Sequence, residues 1–118
     1  MAAMMRNTAT AVLVRGDWLD GSFETEPYET AWAAEALFFV RLMGVRGAAA
    51  GADPIELSVQ LSPDGIRWVD EGTVLRVATE VEALSFARVA HFGGWLRLRG
   101  RVPQGLSAQA VVTLSLKA

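Results

Sequence analysis

His91 is the single histidine of a chain that has no cysteine. A Ser-His-Asp arrangement would use His91 as its base, with Ser85 and Asp70 as the available hydroxyl and carboxylate. No Gly-x-Ser-x-Gly elbow presents a nucleophile. A lone His beside Phe92 and the Gly93-Gly94 pair therefore reads as a loop or interface residue. Without thiols, disulfides, thiolate catalysis and thiolate metal sites are excluded together. A transition-metal site would need mostly carboxylates. A calcium loop would draw on Asp64, Asp70 and Glu71, whose spacing matches no standard oxygen-ligand loop. The expectation is a chain without catalytic residues, metal or cofactor.

Binding chemistry is better represented. Arg97, Arg99 and Arg101 alternate with apolar residues, which places three guanidinium groups on one side of a strand at roughly 7 Å intervals. Arg88 is a fourth candidate for this row. Such a row keeps a sheet face polar, and its planar forks also suit carboxylates at a protein interface. Five acidic residues, Asp17, Asp20, Glu24, Glu26 and Glu29, cluster in the first quarter of the chain. They form either a solvated loop or a contact for a basic surface, such as the arginine row of a neighbouring copy. Of the four tryptophans, Trp68 and Trp95 sit in alternating sequence and are expected to be at least half buried. Trp18 and Trp32 lie in less regular sequence and are the better contact candidates, for a protein surface or for a glycan. The interface candidates are thus Trp18, Trp32, Arg97, Arg99 and Arg101.

The elements that must carry these residues are strands. The chain has 118 residues, 52% hydrophobic and 20% charged. That is enough for one folded domain. Residues 1–7 read as an N-terminal arm and 8–118 as a single domain. Mean hydropathy is +0.27, high for a small domain, so apolar surface is left over for a partner. Net charge is −2, which argues against nucleic acid. No stretch is long and apolar enough for a signal sequence or a membrane span, so synthesis in the cytoplasm is expected.

"TATAVLVRG" reads as a strand ending at Gly16, and Asp20-Gly21 as a turn. Residues 29–36 fit a helix or a strand, and a strand is expected from about Ala36 to Val45. Ala48 to Ala52 lies in a loop. In "IELSVQL", Ile55, Leu57, Val59 and Leu61 share one face. "IRWVDEG" places Ile66 and Trp68 on one parity. "TVLRVATEVEALSFARV" supplies one or two strands. Leu96 and Leu98 point in while the arginines point out; Ala110, Val112, Leu114 and Leu116 point in along the last strand. About seven or eight short strands divided by Gly, Pro and Asp turns predict an all-β antiparallel β-sandwich, and specifically a jelly roll.

"LSPDGIRW" is the corner of one hairpin. Pro63 presets φ for a type I turn, Asp64 suits the next position, and Gly65 accepts the positive φ that closes it. Trp68 is then expected across the hairpin from Val59 or Leu61.

"PIELSVQLSPDGIRWVDEGT", "GGWLRLRGRV" and "AVVTLSLKA" together resemble a family of small β-sandwich structural proteins of bacteriophage and prophage virions. The likeness spans about Ala36 to Ala118; the Ala-rich loop and the long first segment depart from it. It implies a head-decoration, neck or tail component that acts through homo-oligomeric and protein–protein contacts and ends in the virion. It implies no catalysis. A carbohydrate-binding module is the alternative from another class.

Overall fold

The computed structural model describes residues 8–47 and 53–118. The arm expected over residues 1–7 and the Ala-rich loop at 48–52 lie outside the described residues. Nine strands follow in order: β1 (Thr8–Leu19), β2 (Ser22–Glu24), β3 (Tyr28–Glu29), β4 (Glu35–Gly47), β5 (Ile55–Ser62), β6 (Val69–Val77), β7 (Leu84–Ala90), β8 (Trp95–Arg101) and β9 (Leu106–Lys117). The first sheet has the order β1-β9-β4-β7, and the second has β2-β8-β5-β6 with β3 also paired to β8. Every pairing is antiparallel. The fold is an antiparallel β-sandwich, as the alternation predicts.

Period two builds the core directly. Along β9, Ala108, Ala110, Val112, Leu114 and Leu116 are buried, and the residues between them are not. β4 contributes Phe38, Val40 and Leu42; β5 and β8 answer from the other sheet with Leu57, Val59, Leu96 and Leu98. Each such aliphatic or aromatic side chain contributes about 1.5–3 kcal/mol on leaving water. On the inner side of β8, Gly100 leaves room that a Cβ would lose, at 2.8 Å from both Leu57 Cδ2 and Phe23 Cζ.

Four local expectations are corrected. β1 runs past Gly16 to Leu19, because two register shifts against β9, at Val12/Val14 and Arg15/Asp17, absorb the irregularity. Gly16 takes the second of them at φ +84°. Residues 29–36 hold no helix: β3 ends at Glu29, a turn follows at Ala31 and Trp32, and β4 begins at Glu35. The corner after β5 is a loop over residues 63–68, not a tight turn, so Ile66 is 77% exposed and belongs to no strand. Trp68 precedes β6, so Val69 takes the position opposite Leu61, and the Trp68 ring lies beneath Arg97.

Side chains replace the ladder where the backbone cannot continue it. Pro27 separates β2 from β3. There Thr25 is buried; its N–H donates to Leu98 O at 2.9 Å and its Oγ1 accepts the Leu98 N–H at 2.9 Å. Thr30, also buried, donates its N–H to Gly94 O and its hydroxyl to Gly93 O. These bonds spare four buried polar groups the cost of being unpaired, about 1–3 kcal/mol each.

Candidate functional site

The strand pleat gives each sheet an inner and an outer face, and the two outer faces differ in chemistry. On the second sheet, β8 turns Arg97, Arg99 and Arg101 outward, as the sequence predicts, opposite Gln60, Ser58 and Glu56 of β5. Arg97 is the most enclosed. Its Nε donates to Gln60 Oε1 at 2.8 Å, its guanidinium lies 4.2 Å from the centroid of the Trp68 ring, and Glu24 sits 3.9 Å away. Gln60, itself buried, passes the chain on by donating Nε2 to Asp70 Oδ1 at 2.9 Å. Glu56 accepts from Arg76 at 2.8 Å. Arg99 and Arg101 are exposed and form no ion pair among the described residues. They border a shallow groove of about 320 Å³ with Ser22, Glu56, Ser58 and Asp70.

The corner at the end of β5 is satisfied within itself. Ser62 Oγ accepts the N–H groups of Asp64 and Gly65. Asp64 Oδ1 accepts those of Ile66 and Arg67, while the Arg67 guanidinium approaches Oδ2 at 2.7 Å. The backbone N–H of Arg67, then that of Ile66, with smaller help from Ser62 and the Arg67 side chain, pull the Asp64 carboxyl down from 3.8 to about 2. Gly65 at φ +77° leaves its surface to the Trp95 ring, which a Cβ would meet at 3.2 Å. The three carboxylates considered for calcium are all engaged locally: Asp64 in this loop, Asp70 with Gln60, and Glu71 with the Thr73 N–H.

The first sheet's outer face is greasier. Its cross-strand pairs include Phe39 with Phe86 and Arg41 with Leu84, and β9 adds Val111 beside Arg41. The Phe39 and Phe86 rings lie 6.2 Å apart, tilted by 36°. Phe86 is 51% exposed, Leu84 64%, Val81 58% and Met43 40%. A hollow of about 500 Å³ opens at the Glu35 end of this face, lined by Leu37, Arg88, Ser115 and Lys117.

The five sequence-predicted contact residues do not converge. The arginine row lies on the second sheet. Trp18 is on β1, level with Gln109, packed on Gly44 and covered by Arg46 at 3.7 Å from its ring. Trp32 lies in the turn before β4, near the strand end where the Ala34 N–H meets Lys117 O. Gln109 and Lys117 are eight positions apart on β9, about 27 Å. Trp18 and Trp32 therefore cannot share one sugar platform. Trp68 and Trp95 are mostly buried, as expected. Within the acidic group, Glu24 faces Arg99 and Arg97 of its own chain, and Glu29 accepts the Ala31 N–H. His91 follows the far end of β7, six positions from Ser85, or about 20 Å along the chain. Asp70 is on the other sheet, so this triad does not assemble.

The sequence reading missed Leu84, Phe86 and Glu82. In "EALSFARVA" both parities are apolar, and only the smaller size of Ser85 and Ala87 marks the face that fits inside.

Comparison with protein-family models gives no match, and comparison with curated protein sequences gives none. Among solved structures, the chain is similar to the SPBc2 prophage-derived protein YomS, with a TM-score of 0.58 at 6% identity over 100% of this chain and 99% of that one. At that identity the likeness is one of fold: both chains share an all-β architecture over their whole length.

Proposed function

We propose that this chain is a non-enzymatic structural protein of a phage-type particle, a decoration, neck or tail component that works by associating with copies of itself and with other structural proteins. The observation that carries this is the apolar outer face of the first sheet. Exposed apolar surface on a small domain marks a contact site, and this face sets the exposed Leu84 and Phe86 beside the half-buried Leu37 and Phe39, with half-buried Val111 beyond Arg41. The fold supports the same reading. If β2 and β3 count as one strand interrupted at Pro27, the two sheets have the strand order of a jelly roll, an architecture used in viral capsids. The fold neighbour comes from a prophage.

Light scattering across a hundredfold range of concentration tests the proposal. A mass that is a multiple of 12.7 kDa is expected. A single-chain mass throughout the range would overturn it.

A further inference from the structure

A sandwich has four open sheet edges, and an open edge invites another strand unless something blunts it. Three are blunted here. β1 carries two register shifts and Gly16. The edge opposite β5 on β8 is split into β2 and β3, of three and two residues, with Pro27 between them. β6 is interrupted by a register shift near Gly72, which has φ +115°, and the Thr73 N–H is taken by Glu71.

β7 is different. Its seven residues contain no Gly and no Pro, and its register against β4 is unbroken from Leu84 to Ala90. An antiparallel ladder on one side leaves every second N–H and C=O unpaired on the other. Exposed apolar residues mark this edge: Leu84 and Phe86 on β7 and Val81 in the turn before it are each more than half exposed.

The outward-facing side chains of β7 and of the turn before it have an order that matters. Glu82, in that turn at φ +69° with its carboxylate on outer-face Arg41, is followed by Leu84, Phe86 and Arg88 on β7: acid, apolar, apolar, base. Reversed, the same row reads base, apolar, apolar, acid. It is complementary to itself in antiparallel pairing, which an interface about a two-fold axis requires. Glu82 is fixed by its N–H bond to Leu42 O and holds Arg41 loosely at 3.3 Å. Arg88 has no ion-pair partner among the described residues and lies 5.2 Å from its own Phe86 ring.

We propose that a second copy of this chain pairs with the open edge of β7, antiparallel about a two-fold axis at Ser85. Leu84 then faces the partner's Phe86, and Glu82 faces the partner's Arg88, each pair occurring twice. Leu84 and Phe86 of the two copies then lie side by side at the centre of the seam, flanked by the charged pairs. This deepens the oligomeric reading above and rests on it.

Glu82→Arg and Arg88→Glu, made as two separate proteins, test the register by sedimentation velocity. Each variant alone sets like charges opposite each other twice, and dimerisation at least about tenfold weaker than wild type is expected. An equimolar mixture recovers association as a heterodimer, because one variant is basic at both positions and the other acidic at both. Variants that associate like wild type, or a mixture no stronger than either alone, would overturn the β7 pairing and leave the oligomeric reading standing. A wild-type protein that stays a single chain would overturn both.

Discussion

The two outer faces are built on strands of the same pleat, yet one centres on a network of paired polar side chains around Arg97 and the other on large apolar side chains. On the second sheet, Arg97, Gln60, Asp70, Trp68 and Glu24 use one another, and Arg76 has Glu56. On the first, Phe86 and Leu84 have neighbours on only one side and water on the other. Polar side chains on a sheet can satisfy each other within one molecule, whereas an apolar face is satisfied only by more apolar surface. Under the proposed function, association is expected at the first sheet's outer face, and changes to the paired side chains of the second sheet's outer face are expected to act on folding stability.

The largest expected effect tests that division. Gln60→Ala removes both the acceptor of Arg97 Nε and the donor to Asp70, in a site where Gln60 is only 5% exposed. Losing hydrogen bonds to two charged groups costs about 2 kcal/mol of folding stability. This is read as a lower urea midpoint at unchanged slope. The oligomeric mass of the folded protein stays as in wild type. A variant that keeps its urea midpoint but loses association would reverse the roles assigned to the two faces.

How much of this was legible beforehand depends on parity. Where apolar and polar residues alternate cleanly, as in "IELSVQL" and "LRLRG", the sequence specifies which side chain points where, and the arginine row lies on the side it predicts. Where both parities are apolar, alternation is silent. "EALSFARVA" hides its outer residues Leu84 and Phe86 for that reason, and with them the most exposed large apolar side chains of the first sheet. The corner failed differently. Ser-Pro-Asp-Gly identified the turn and the positive φ of Gly65, but Asp64 reaches forward to Ile66 and Arg67 and extends the loop to Trp68. Loop length is set by such side-chain bonds, which turn propensities alone do not encode. The meeting of Trp68 with Arg97 follows from that longer loop.

Asp64 offers a smaller effect, with a defined direction in pH. Its folded pKa, about 2, lies below its ordinary value of 3.8. Depression means that the native state binds this proton less readily than the unfolded chain. The contribution to stability is full above about pH 4 and is lost as pH falls through about 2. Asp64→Asn keeps an oxygen that accepts the Ile66 and Arg67 N–H groups but does not titrate. Its stability, measured by thermal unfolding, should decline less steeply than wild type between those limits, so the gap between the two narrows with acid. Parallel curves would mean that the loop draws nothing from the carboxylate charge. Because this corner joins two strands of the second sheet, the oligomer should be indifferent to the substitution.

The smallest effect belongs to Arg99 and Arg101, and it sharpens the contrast most. Both are on the second sheet's outer face, both are exposed, and neither forms an ion pair among the described residues. The double variant Arg99→Thr, Arg101→Thr keeps β-branched residues suited to a strand and removes two charges. Surface changes of this kind shift stability by less than about 0.5 kcal/mol. Urea unfolding and light scattering should both return wild-type values. If the double variant instead loses its oligomeric mass, the second face takes part in assembly after all, and the arginine row acts on a neighbour's carboxylates. If mass is kept while the β7 charge reversals weaken it, self-association runs through the edge that three blunted counterparts leave as the one open route.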